Sequence, residues 1–226
     1  MRFAGILNLA VALCLCGLGS LSRAEIAAKT EKKAPPSEAS EAIRKLLGDT
    51  CYQVMDGDKA LFEFWFAASL PLKEKPASPD KDLDSLNTAS LLGVVRISKE
   101  LRDYRDDDLS KGVHTMRFGK IPADGNHLGA TEYPYFAVLI PAAEDKEPAT
   151  IKTFKQLTRA SAKKTASEHP MIMSLRPVKE KPAAIPALTK PASEHQAIVV
   201  SAPAKTEAGD EAELIFEVVI EGHGKL

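Results

Sequence analysis

Apolar residues at every second position set the strongest limit on how this chain can fold. In ALFEFWFA, residues 60–67, Phe62, Phe64 and Phe66 fall on one side, and Leu61, Glu63, Trp65 and Ala67 on the other. In EAELIFEVVIEG, residues 211–222, Leu214, Phe216, Val218 and Ile220 share a side. Glu211, Glu213, Glu217 and Glu221 share the opposite one with Ile215 and Val219. A two-residue period belongs to an extended strand, because a helix returns to the same face only after three or four residues. One apolar and one charged side mark strands of an antiparallel sheet with one face in a core.

The same rhythm recurs in SLLGVVRIS, GVHTMRFGKI, YFAVLIP, PMIMSLRP and HQAIVVSA. TCYQVMDGDKALFEFWFAASLP reads as a hairpin turning at Asp56-Gly57-Asp58, since Asp-Gly supplies the positive φ that a tight hairpin turn needs. The phenylalanine face is core, and Trp65 on the other face lies under a crossing segment. One stretch breaks the rhythm. TIKTFKQLTRASAKKT spaces Ile151, Phe154 and Leu157 as a helix does, which predicts a surface helix between two strands. VKEKPAAIPALTKPAS, with four prolines, reads as an extended surface loop, and LKEKPASPDKDLDSLN as a polar excursion. About eight strands with one inserted helix predict a mainly β fold, an antiparallel β-sandwich.

The first residues fix the expected compartment. Arg2 precedes the apolar run AGILNLAVALCLCGLGSL, and Ser22-Arg23-Ala24 places small residues where a signal peptidase cuts. Residues 1–24 therefore read as a signal peptide, and the mature protein as secreted or periplasmic. On this reading a membrane contact is expected only through an uncleaved leader. Residues 25–48 follow as a flexible tether with one short helix, capped by Ser37 or Ser40, carrying Ile43, Leu46 and Leu47 on one face and ended by Gly48. The β domain is expected over residues 49–223. Of the three cysteines, Cys14 and Cys16 leave with the leader. Cys51 remains without an intramolecular partner and, in a strand-like run, reads as a buried thiol.

The chain's formal net charge of −1, made more negative by loss of Arg2 and Arg23, comes with no basic stripe interleaved with aromatics, so nucleic acid is not an expected partner. There is no dinucleotide fingerprint, no phosphate-binding glycine loop, no HExxH and no CxxC. Asp80, Asp82 and Asp84 alternate as at the start of a calcium loop. Ser85 and Leu91 stand where that loop needs glycine and a bidentate glutamate, so they read as a solvated acidic loop. Asp106, Asp107 and Asp108 read as exposed, because like charges in a row repel and prefer water.

The densest group of chemistry-bearing residues is GKIPADGNHLGATEYPYF, residues 119–136. Asp124 and Asn126 can bond their own backbone as Asx turns, and Gly125 and Gly129 can take positive φ. This segment is either a built corner or a corner that presents His127 and Asp124 outward. On the second reading the candidate metal ligands are Asp124, His127, His114 and Glu132, because imidazole and carboxylate together suit a divalent ion. His114 shares its strand face with Met116 and Phe118, where a histidine is usually a core residue held by a backbone partner.

The block GVHTMRFGKIPADGNHLGATEYPYFAVLIPAAEDKEP resembles the central part of an uncharacterised family of secreted bacterial proteins. The similarity extends from CYQVMDGDKALFEFWF through HPMIMSLRP. It implies an exported β-rich domain and brings no activity with it. The chain departs from the family pattern at His114, where an aromatic is usual, and at Ala67, Ala68 and Ser69, where charges are. The expected function is a non-catalytic binding or envelope-associated module with no cofactor and an envelope or extracellular ligand. The alternative is a metal-binding protein or metal-dependent enzyme centred on the 122–134 loop.

Overall fold

The computed structural model describes residues 26–103, 107–121, 133–149, 151–162, 169–191 and 195–221. The leader, residues 1–24, and most of the 122–134 loop lie outside them. The chain is mainly β. Its strands are β1 (Ile26–Lys32), β2 (Leu47–Asp56), β3 (Lys59–Ala67), β4 (Leu70–Leu72), β5 (Leu91–Ile97), β6 (Leu101–Arg102), β7 (Asp108–Leu109), β8 (Gly112–Lys120), β9 (Tyr135–Pro141), β10 (Ile172–Pro177), β11 (Ala187–Thr189), β12 (Gln196–Thr206) and β13 (Glu211–Glu221). The helices are α1 (Glu41–Arg44) and α2 (Phe154–Ala162), with a 3-10 helix at Pro79–Ser85.

Ten strands lie side by side in the order β1-β2-β3-β5-β8-β9-β10-β13-β12-β11, antiparallel throughout. The eleventh, β4, pairs with β12 in parallel. The eight-stranded antiparallel sandwich expected from the sequence is therefore replaced by one mixed sheet that curls on itself. Its two edges approach each other, with β1 against β11. From β2, the Tyr52 hydroxyl donates to the Ser201 carbonyl of β12 at 2.8 Å across the enclosed space. A sheet this wide accumulates too much twist to stay open. Register shifts at Val54/Met55, Leu91/Gly93 and Gln196/Ala197 bend its strands further.

The alternation read from the sequence selects the concave side. Phe62, Phe64 and Phe66 stack in a ladder, with ring centroids 5.8 and 6.2 Å apart, and join Val95, Met116, Leu139, Val200, Phe216 and Val218 in one continuous core. The segment after β3, predicted to be a polar excursion, instead sends Leu70, Leu72, Leu83 and Leu86 into that core at one end of the curl. Its leucines are too sparse to show a period, yet each is buried. Asp82 in this segment is buried and Asp84 pairs with Lys120, so the loop is not simply solvated. At the other end the small hairpin of β6 and β7 contributes Leu101 and Leu109. Within it, Asp107 lies beside His169 at 3.8 Å, and Asp108 beside Arg102 at 3.4 Å. The proline-rich 178–191 stretch is mostly irregular but contributes β11.

Two layers cover the convex face. Residues 33–46 form a strap, in which Ala39 and Ile43 pack on Leu91 and Val94. The Ser40 hydroxyl caps α1 by accepting from Ile43 N and donates to Lys146 O. Trp65 lies beneath this strap, its Nε1 donating to Lys33 O at 2.9 Å. Residues 26–32, expected as part of a flexible tether, are instead an ordered edge strand whose seven residues all pair with β2. Backbone pairing holds it, since both its faces are largely exposed and no apolar alternation is needed. Gly48, expected to end the helix, lies inside β2. The second layer is α2, whose Phe154 and Leu157 pack on Phe136, Val138 and Ile140.

Candidate functional site

The 122–132 loop hangs from two strands in unbroken register. β8 and β9 pair from His114↔Pro141 to Lys120↔Tyr135, and Ile121 N donates to Pro134 O at 2.8 Å, which extends the ladder to the loop's base. That base is braced on both sides. Lys120 forms an ion pair with Asp84 and stands 5.4 Å over the Tyr135 ring. Tyr133 receives the Arg176 guanidinium 4.9 Å from its ring centre, and Arg176 in turn lies 3.4 Å from Glu217, which accepts from the Thr189 hydroxyl. Asp124, His127 and Glu132 themselves lie outside the described residues, as do Gly125, Asn126 and Gly129.

His114, the fourth candidate ligand, sits in the core on the concave side of β8 and is 2% exposed. Its Nε2 is 2.9 Å from the Ser110 carbonyl. A carbonyl only accepts, so Nε2 carries the proton and Nδ1 is left as a bare lone pair, buried and without a hydrogen-bond partner. Burial holds the ring's pKa below the ordinary histidine value and keeps it neutral. At about 3.3 Å per residue, His114 is ~20 Å along β8 from the base of the loop. Among the described residues, no three of His, Cys, Asp and Glu converge as metal ligands.

Two other polar sites went unnoticed in the sequence. Arg117, on the convex side of β8, is fully buried. Its Nε and Nη2 donate to Asp145 at 2.7 and 2.8 Å, and the remaining donors reach the carbonyls of Ala89, Glu147 and Pro148. The Thr115 hydroxyl completes the site by donating to Asp145. With all five guanidinium N–H groups used, this is a pin that ties residues 141–149 to the sheet. The only sequence signal for it was an arginine between two core residues.

Under the strap, Glu63 accepts from Lys33 at 2.5 Å and Gln53 at 2.9 Å and lies 3.4 Å from Arg96, which also grips Glu38. The hydrogen bond from Lys33 to Glu63 raises the lysine's pKa, and Arg96 lowers that of Glu38. Cys51 lies beside this group, fully buried as expected. Burial, followed by the charge of Glu63, pushes its thiol up to about 12, so it stays protonated and unreactive.

Comparison of the chain with family models, with curated protein sequences and with solved structures finds no match in any of the three.

Proposed function

We propose that this chain works as an exported, non-catalytic binding module that presents the 122–132 loop from the rim of a filled scaffold. The observation that carries the reading is the braced base of the loop. Two paired strands, the Lys120–Asp84 pair and the Tyr133–Arg176–Glu217 stack fix where the segment leaves the sheet. A recognition loop needs such a rigid mount, because every degree of freedom frozen on binding weakens affinity.

Strand direction adds support. β1 begins opposite Asp56, at the end of the sheet carrying the 57–58 turn, whereas the loop lies at the other end of β8. A leader or anchor preceding β1 would attach at the end of the sheet opposite to the one where the loop is rooted. The interior is occupied by the phenylalanine ladder and the leucines of residues 70–86, so the rim, rather than the curl, is the surface on offer. The resemblance of the 112–141 block to exported bacterial proteins points to the same setting. In the metal reading, the candidate ligands of a divalent ion remain Asp124, His127, His114 and Glu132.

The test is photocrosslinking in the producing cell, with the crosslinker at residue 127 and, as a control, at Asp58 on the opposite end. The proposal expects a discrete adduct from residue 127 alone. Adducts from Asp58 and none from 127 would place the contact surface elsewhere.

A further inference from the structure

Lys32 stands beside Asp49, Lys45 beside Glu41, Arg96 beside Glu38, Lys181 beside Glu213 and Arg176 beside Glu217. The cations at the start of α2 and along it have no such partner. Lys152, Lys155 and Arg159 are exposed, and among the described residues none has a carboxylate in ion-pair range. Lys155 and Arg159, four residues apart, share one side of α2, and Lys152 directly precedes its Thr153 cap. Between Glu147 and Glu168 the sequence holds no acidic residue, while Lys163 and Lys164 continue the basic series. In a chain with 31 acidic residues in 226, so long an acid-free stretch concentrates positive charge locally.

The helix is oriented firmly. Thr153 and Gln156 form a reciprocal capping box, with Gln156 N donating to the Thr153 hydroxyl and Thr153 N to the Gln156 side chain. The Ser161 hydroxyl donates to Leu139 O at 2.6 Å and accepts from Met171 N at 2.8 Å. Phe154 meets Phe136 edge to face at 6.0 Å. The apolar side of α2 is therefore committed to the sheet, and only the basic side is available to a partner.

We infer that the basic side of α2 is a peripheral docking surface for an anionic bilayer. Lys152, Lys155 and Arg159 would meet lipid phosphates without insertion of the helix. A lipid partner is preferred because the leader delivers the chain to a membrane, so this choice rests on the export reading. Because Phe154 and Leu157 stay against the sheet, the attachment is purely electrostatic and reversible by salt. Near an anionic surface each cation strengthens partition by about fivefold, so three of them act together for ~100-fold.

The experiment is co-sedimentation of the processed protein with vesicles of phosphatidylcholine alone and with about one third phosphatidylglycerol, at low and high salt. The expected result is binding only to the anionic vesicles, lost at high salt and weakened ~100-fold in Lys152→Gln/Lys155→Gln/Arg159→Gln. All three side chains are exposed, and an unchanged melting temperature verifies that the variant folds. Equal binding of variant and parent overturns the inference. So does retention on a soluble polyanion with no sedimentation on vesicles, which would make the partner a polymer instead. Fractionation of the producing cells tests export separately: a cytoplasmic protein that still binds anionic vesicles refutes the export reading and leaves the surface standing.

Discussion

Arg117 and Asp145 face each other across two hydrogen bonds of 2.7 and 2.8 Å with no access to water, one on the sheet and the other on the loop that leaves β9. Nothing in this pair is spare. The guanidinium gives away every N–H, and the carboxylate also accepts from Thr115. Such a pair makes a weak net contribution to stability compared with an apolar pair, yet each half depends on the other.

Asp145→Ala should therefore destabilise the fold by about 3–5 kcal/mol, because it leaves a buried guanidinium unpaired. Arg117→Met should cost a similar amount. The double variant Arg117→Met/Asp145→Leu should lose much less than the sum, in urea denaturation of all four proteins. Additive losses would mean that the two side chains act separately.

Gly93 sits where β5 shifts register against β8 and crosses closest to β3. A Cβ there would lie 2.2 Å from the Trp65 carbonyl oxygen and 2.9 Å from Phe66 Cα. Backbone atoms cannot swing aside as a side chain can, so Gly93→Ala should destabilise the domain by about 1–3 kcal/mol or more. A neutral result in the same denaturation assay would mean that these strands are not so close.

His114 gives stability a pH dependence of definite sign. Its folded pKa is depressed by burial, so below the ordinary histidine range the unfolded chain takes up a proton that the fold refuses. Melting temperature should fall as pH drops from about 7 to 5, and His114→Phe should flatten that slope. The carboxylates Glu38, Asp49 and Glu213, held low by their hydrogen bonds to Arg96, Lys32 and Ser201, lose their contributions at more acidic pH and do not blur the window. An unchanged slope in the variant would put the proton-sensitive group elsewhere.

Cys51 works at the other end of the scale. Its folded pKa is raised, so above about pH 9 the unfolded thiol ionises first and stability declines. At pH 8 the native protein should react with an alkylating reagent only as fast as it unfolds, and denaturant should speed the reaction greatly. Rapid labelling of the native protein would show that the strap does not cover the thiol.

What could be read from the sequence followed from how each element is held. The strands whose inner faces are continuous rows of large apolar residues, such as Phe62-Phe64-Phe66 and Leu214-Phe216-Val218, were legible, and so was α2 from Phe154 and Leu157. The Ser40 cap and the Gly57 turn, with φ of 57°, came from local chemistry that also shows in sequence. β1 was not legible, because backbone pairing with β2 holds it with few buried apolar side chains. Curling was not legible either, since an inward row looks alike whether it faces a second sheet or the far side of its own. Of the candidate site, the sequence located the strands that carry the loop and the burial of His114 on its apolar face, while Asp124, His127 and Glu132 lie outside the described residues.

The most direct test is to replace residues 122–132 with a glycine-serine linker of equal length and follow both melting temperature and crosslinking through position 133. If the loop is a displayed recognition element, the scaffold keeps its melting temperature within a few degrees and the partner adduct disappears. Collapse of the fold, or an undiminished adduct, would contradict the account: the first would make the segment a structural corner, and the second would put recognition elsewhere on the surface.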